Sequence, residues 1–253
     1  MTSNFNKKKI NLLPSRKIFI YLIFLIFLIL ISIKIYDKLK NKEIIRNFIQ
    51  NYSLKLNYTF TNYELNKLNR VDKKAISKIV NKYLNQSIFL IPLNDISISL
   101  HDLKWIKNVN LSTNLKNTIK LDIVEYKPIG LYFFNNQLFY FSKEGKIIDK
   151  YIENKNEKFI KFYGNQSLKK ASDFLNNLNN FNELPIIKEA HFIKQRRWDI
   201  KLDNEILINL SEKNIAESIK NYIKLIKKFN DSEIISIKSI DLRNNEKAII
   251  NFR

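Results

Sequence analysis

Sixteen consecutive residues, Ile18 to Ile33 (IFIYLIFLIFLILISI), carry no charge and have basic residues on both sides. A helix rises about 1.5 Å per residue, so this stretch spans roughly 24 Å, and continuing through Lys34, Ile35 and Tyr36 brings it near the ~30 Å of a hydrocarbon core. One membrane crossing follows, with Lys34 snorkelling to the interface. A cleaved secretory signal has a shorter apolar region and ends in small residues. Here Lys34-Ile35-Tyr36-Asp37-Lys38 comes next, so the segment reads as an uncleaved signal anchor with 217 residues, Asp37 to Arg253, after it. The flanking charge does not set orientation. Lys7, Lys8, Lys9, Arg16 and Lys17 precede the span, and Lys34, Lys38, Lys40, Lys42 and Arg46 follow it, which leaves the positive-inside rule nearly silent.

A chain of this length beyond an anchor can bury one or two real cores. The formal charge of +20 and pI of 9.8 ordinarily raise nucleic acid as a partner. The chain also holds 35 Asn and only 3 Gly and 4 Pro, the composition that AT-rich codons produce, and its charge is spread along the sequence instead of gathered in a stripe. Nucleic acid is therefore not the expected partner. Cysteine is absent, which excludes disulfides and thiol chemistry.

Ile44, Ile45, Phe48 and Ile49 keep helical spacing and predict a stalk helix over 41–51. The period then changes: Leu54, Leu56, Tyr58 and Phe60 alternate with polar residues and predict a strand that Tyr63 and Leu65 continue. Asp72 is an N-cap for a helix with Ala75, Ile76, Ile79, Val80, Tyr83 and Leu84 on one face. A second helix turns Ile96, Leu100 and Leu103 inward. Two alternating runs follow, one with Val109 and Leu111, one with Ile119, Leu121, Ile123 and Glu125, joined by a turn over Thr113–Asn117. The order strand, helix, helix, strand, strand makes a unit of about 75 residues, a plausible small domain.

From Gly130 strands dominate: Leu131–Phe134, Leu138–Phe141, and Ile147–Ile148 after the turn Lys143–Lys146. A helix is predicted over Leu168–Phe181, then strands at Ile186–Ile193, Trp198–Leu202 and Ile206–Leu210. A further helix is predicted over Glu212–Lys228, with Ser211 as N-cap and Ile215, Ile219, Tyr222, Ile223 and Ile226 on one face. Two strands close the chain, Ile234–Leu242 and Lys247–Phe252, around Arg243-Asn244-Asn245-Glu246. A terminal strand is often an edge with unpaired backbone groups.

Catalysis needs a nucleophile with its base, paired carboxylates or metal ligands. The two histidines, His101 and His191, lie 90 positions apart, and neither sits in a ligand-spaced motif. Glycine occurs only at 130, 145 and 164, which rules out a Gly-rich phosphate loop. No serine lies in a nucleophile elbow. No cofactor, metal or small-molecule substrate is expected, and a binding or scaffolding protein is favoured over an enzyme.

Five stretches carry a resemblance: Leu103-Lys104-Trp105-Ile106-Lys107-Asn108-Val109; Ile119 to Gly130, with Glu125-Tyr126-Lys127-Pro128 inside it; Glu144-Gly145-Lys146-Ile147-Ile148; Gln195-Arg196-Arg197-Trp198-Asp199-Ile200-Lys201-Leu202; and Ile240-Asp241-Leu242-Arg243. In this order and spacing they resemble the bacterial cell-division family FtsQ/DivIB, especially its alphaproteobacterial members. The resemblance implies an α+β architecture: cytoplasmic tail 1–17, transmembrane helix 18–36, membrane-proximal stalk 37–53, a POTRA domain of β-α-α-β-β order over 54–128, and a strand-rich β domain with flanking helices over 129–253. It also implies a single-pass type II protein of the inner membrane, its C-terminal domains in the periplasm at the division septum.

Members of this family are not enzymes. They join the divisome, bind FtsB and with it FtsL, and help localise and regulate septal peptidoglycan synthesis. The FtsB contact is an added strand on the last β-strand. Carried over, the pairing edge is Lys247, Ala248, Ile249, Ile250, Asn251 and Phe252, with Arg243 and either Arg196 or Arg197 taking partner carboxylates. The residues themselves leave open a plain hairpin with an idle outer edge, and Arg196 as an ordinary strand-end charge. Asn244 stands where some relatives have an aromatic residue, and Arg253 follows the strand directly, which implies a smaller or differently distributed contact. The alternative function is another POTRA-containing, membrane-anchored envelope assembly or chaperone protein; a membrane-anchored nucleic-acid binder and a cell-wall enzyme are less favoured.

Overall fold

In the computed structural model, helix α1 (Arg16–Lys40) takes up the whole uncharged stretch. The residues described are 16–40, 42–153, 157–244 and 246–253; most of the predicted tail, and Asn245 of the last turn, lie outside them. All side chains from Phe19 to Tyr36 are exposed, and this segment has a mean hydropathy of 2.7, as suits a helix whose solvent is lipid.

Helix α2 (Lys42–Lys55) forms the predicted stalk but runs beyond residue 51, so the strand predicted from Leu54 does not form there. The helix closes as a Schellman motif. Asn57 takes a left-handed φ of 58°, the Tyr58 NH donates to Ser53 O at 2.8 Å, and the Asn57 NH donates to Leu54 O at 3.4 Å. Leu54, Leu56 and Tyr58 are exposed, so their alternation has no buried face behind it. The strand begins later, as β1 (Asn62–Leu65).

Helix α3 (Lys73–Val80) is capped as predicted by Asp72, whose Oδ1 accepts from the Lys74 NH at 2.8 Å. A 3₁₀ turn (Asn81–Tyr83) and helix α4 (Leu93–His101) follow, then β2 (Ile106–Thr113) and β3 (Thr118–Glu125). The turn between these strands is held by Asn114, whose Oδ1 accepts from the NH groups of Lys116, Asn117 and Thr118 at 2.9, 2.9 and 3.0 Å. The three strands make one sheet in the order β1-β3-β2.

The remaining elements are β4 (Pro128–Phe134), β5 (Gln137–Ser142), β6 (Ile147–Lys150), β7 (Lys161–Tyr163), α5 (Ser167–Leu178), β8 (Ile187–Ile193), β9 (Arg197–Leu202), β10 (Leu207–Leu210), α6 (Ile215–Ile226), α7 (Asp231–Ser236), β11 (Ile237–Leu242) and β12 (Ile249–Phe252). Three of these depart from expectation. Strand β7 was not foreseen. The N-cap of α6 is Asn214, whose side chain accepts from the Glu217 NH at 3.1 Å; Ser211 is buried and donates its NH to Ser218 Oγ at 3.0 Å. Residues 234–236, where the strand Ile234–Leu242 is predicted to begin, instead end helix α7, because Asn230 and Glu233 form a reciprocal capping box at its start.

The described residues group into two units, one within Met1–Glu64, Val80–Leu93 and Leu111–Lys120, the other within Leu65–Ile79, Asn94–Asn110 and Leu121–Arg253. In the first, α2 is fixed by polar contacts. Gln50 donates Nε2 to Asn85 O at 3.1 Å and accepts from the Ser87 NH at 2.7 Å, and the buried hydroxyls of Ser53 and Ser87 meet at 2.7 Å.

The second unit is built on a nine-stranded sheet of order β12-β11-β10-β9-β8-β7-β4-β5-β6. Parallel pairs β7/β8 and β10/β11 are bridged by helical crossovers through α5 and through α6 with α7. Helices α5 and α6 cover one sheet face, where Ala171, Phe174, Ile219 and Tyr222 join Phe162, Ala190, Ile200, Ile208 and Ile240 in one buried cluster. Trp198 lies among the rings of Phe174, Phe192 and Phe162 at 4.6, 4.8 and 5.7 Å. Gly130 is required by this packing, since a Cβ there would fall 2.6 Å from the Phe162 ring. Around Leu131, Tyr140 and Ile148, a smaller cluster includes Trp105. The Arg70 guanidinium lies 5.1 Å from the Trp105 ring and 5.4 Å from that of Tyr140, and pairs with Glu157.

Candidate functional site

Strand β12 forms one margin of the nine-stranded sheet. It pairs antiparallel with β11, Ile240 opposite Ile250 and Asp241 opposite Ile249, and among the described residues no strand lies on its other side. At about 3.3 Å per residue its four residues offer some 13 Å of free backbone edge. Ile250 packs against the main core, whereas Ile249 is 61 % and Phe252 52 % exposed. Asn251 donates Nδ2 to Ser239 Oγ at 3.0 Å. Lys247 and Ala248 are exposed and precede the strand instead of lying within it.

The arginines expected to take partner carboxylates already have carboxylates of their own. Arg243 donates Nε to both oxygens of Asp241 at 2.9 Å. Arg197 Nε lies 3.2 Å from Asp199 Oδ1, and both side chains are largely buried. Arg196 stands 3.8 Å from Glu212, and both are exposed.

The register explains why two of these pairs gather. Asp199, Asn209, Asp241 and Ile249 follow one another laterally across β9, β10, β11 and β12, so both aspartates share a sheet face, and Arg197 and Arg243 stand two residues from them on that same face. The Arg243 guanidinium holds the Asp241 carboxyl below the ordinary carboxylate range against an upward push from burial, and Arg197 acts on it in the same sense. Arg243 is raised in turn, by Asp241 first. Beside these pairs is a hollow of about 420 Å3 lined by Asp241, Arg243, Asn244, Lys247 and Ile249. The arrangement suits main-chain pairing with an extended peptide.

The histidines fall elsewhere. His101 is exposed at the end of α4. His191 stacks on Tyr163 with centroids 4.4 Å apart, its Nε2 3.1 Å from Glu189 Oε2. A hollow of about 600 Å3 is lined by Leu131, Phe159, Ile187 and mixed charges including Glu157, Lys161 and Asp203. Among the described residues no three His, Asp or Glu side chains are grouped to hold a metal ion.

Sequence reasoning missed Asp199 and Asp241 as the partners of their arginines. The signal was present: Arg197-Trp198-Asp199 and Asp241-Leu242-Arg243 each put acid and base two apart on a strand, on one face.

Comparison with known proteins bears on the same regions. The signature "POTRA domain, FtsQ-type" matches residues 63–126, and "Cell division protein FtsQ/DivIB, C-terminal" matches residues 133–243, a range that holds β5 to β11 and ends at Arg243. The cell division protein FtsQ of Rickettsia bellii is 35 % identical over 182 residues, 71 % of this chain and 67 % of the relative. That of Rickettsia typhi is 32 % identical over 204 residues, 80 % of this chain and 76 % of the relative. The more distant Agrobacterium fabrum protein is 25 % identical over 154 residues, 60 % and 48 % of the two chains. With two successive family signatures and relatives of this similarity over most of its length, the chain belongs to the FtsQ/DivIB family of cell-division proteins.

Proposed function

We propose that the protein is a non-enzymatic divisome scaffold, a single-pass inner-membrane protein whose C-terminal domains lie in the periplasm at the division septum. Its modules are a tail over 1–17, the span 18–36, a stalk over 37–53, a POTRA domain over 54–128 and a β domain over 129–253. It binds FtsB, and with it FtsL, through a strand added to β12, and so helps localise and regulate septal peptidoglycan synthesis. One observation carries this reading: among the described residues β12 is an outer strand of the nine-stranded sheet, with exposed Ile249 and Phe252 along it. Backbone pairing there supplies affinity and the alternate side chains supply specificity.

The test is capture of the full chain, in detergent, on FtsB from the same bacterium. Ile249→Glu and Ile250→Glu are expected to lose binding; the first residue is exposed, which separates loss of contact from loss of fold. Wild-type binding by both variants overturns the assignment. Depletion of the protein should give filaments, with a tagged copy at septa.

A further inference from the structure

On the helix-bearing side of the β11–β12 pair lies a second hollow, of about 260 Å3, lined by residues that include Asn221, Lys224, Lys228, Asn244, Glu246 and Lys247. Residues 221, 224 and 228 recur at three and four positions and so share a face of α6 and its last turn. Its lining thus holds three lysines and one glutamate. The other lysines of this segment are engaged: Lys227 pairs with Glu183 at 2.5 Å and Lys220 with Glu217 at 3.9 Å. None of the ion pairs among the described residues takes up Lys224, Lys228 or Lys247.

This contrasts with the hollow on the opposite sheet face, where Arg243 is already engaged by Asp241. Lys247 and Asn244 line both. Residues 247 and 248 lead directly into β12, so the helix-side hollow adjoins the exposed strand edge. A strand laid along that edge would alternate its side chains between the two faces. Every second residue would then point to the lysine side. Three lysines with a single carboxylate among them leave a net positive charge that favours an incoming anion, and an ammonium–carboxylate hydrogen bond is among the stronger polar contacts. The partial negative charge at the end of α6, about half an elementary charge, is outweighed by the lysines.

We infer that this hollow is an anion subsite of the β12 edge: the strand that pairs with β12 carries an aspartate or glutamate on its helix-facing side, held by Lys224, Lys228 and Lys247. The inference rests on the edge-strand reading above. It places the charge selectivity of the contact on the lysines of the helix side, not on the arginines of the sheet face.

The experiment measures the affinity of the full chain in nanodiscs for FtsB of the same bacterium, at low and at high salt. The Lys224→Gln/Lys228→Gln variant is expected to bind about tenfold more weakly at low salt and to lose part of the salt dependence, while Lys227→Gln binds as wild type. Neutralising one acidic residue of FtsB at a time should identify one whose loss adds nothing to that of the lysines. Wild-type affinity and salt dependence in the lysine variant, with binding still lost in Ile249→Glu, overturn the subsite and leave the edge reading standing. Retained binding in Ile249→Glu and Ile250→Glu overturns both. The lysines are exposed, so a far-ultraviolet dichroism spectrum matching wild type is expected.

Discussion

Arg243 stands two residues beyond Asp241 and donates its Nε to both oxygens of that carboxylate at 2.9 Å, while its own backbone NH donates to Oδ1 at 3.0 Å. The pair ends β11 where the chain turns toward the free edge. Arg243 is thus held in place before any partner arrives, with its side chain still 54 % exposed. A partner carboxylate here would share an engaged guanidinium, not meet a free one.

The first prediction concerns the charge state of Asp241. Its carboxyl is depressed in the folded protein by Arg243. A carboxylate depressed on folding contributes stability that is present above the unfolded value, about 3.9, and is lost as pH falls through the folded value. NMR titration should find Asp241 below that value in the wild type and moved upward in Arg243→Ala. An unchanged titration would show that the guanidinium is not the cause.

Glu125 should matter for stability. Burial pushes its carboxyl up, yet it is held low because it accepts from the NH groups of Asn69, Arg70 and Val71 at 2.8, 2.7 and 2.7 Å. Glu125→Ala leaves three donors without their acceptor and is expected to cost about 2 kcal/mol, read as a lower thermal midpoint of the full chain in detergent. A midpoint equal to wild type would mean that water replaces the carboxylate at no cost.

Gly130 tolerates no side chain. The Cβ of an alanine would lie 2.6 Å from the Phe162 ring and 2.9 Å from that of Phe141. Gly130→Ala is expected to destabilise the fold by about 1–3 kcal/mol through overpacking, measured by the same thermal unfolding. Stability equal to wild type would mean that the two rings shift freely.

Elements whose period is long and regular were legible in the sequence. The uncharged run gives α1, and Ile215, Ile219, Tyr222, Ile223 and Ile226 give α6, because many residues vote for one face. Short elements set by local chemistry were not. Ile234 and Ile235 look like strand, but the Asn230–Glu233 capping box makes 231–236 a helix. Leu54 and Leu56 alternate like a strand, but Asn57 closes a helix there. Strand β7 has three residues and takes its place only from its neighbours β4 and β8. At the candidate site, Ile249 to Phe252 were legible as a terminal strand. The gathering of Lys224 and Lys228 beside Lys247 was not, since it joins an α6 face to a turn more than 18 residues away in sequence.

Hydrogen exchange along β12 in the full chain, with and without FtsB, tests the central claim most directly. Strand addition predicts that outward-facing backbone amides within Ile249–Phe252 slow markedly on binding, while those of β6, at the opposite margin of the sheet, keep their rates. Complex formation with unchanged exchange in β12 would contradict it.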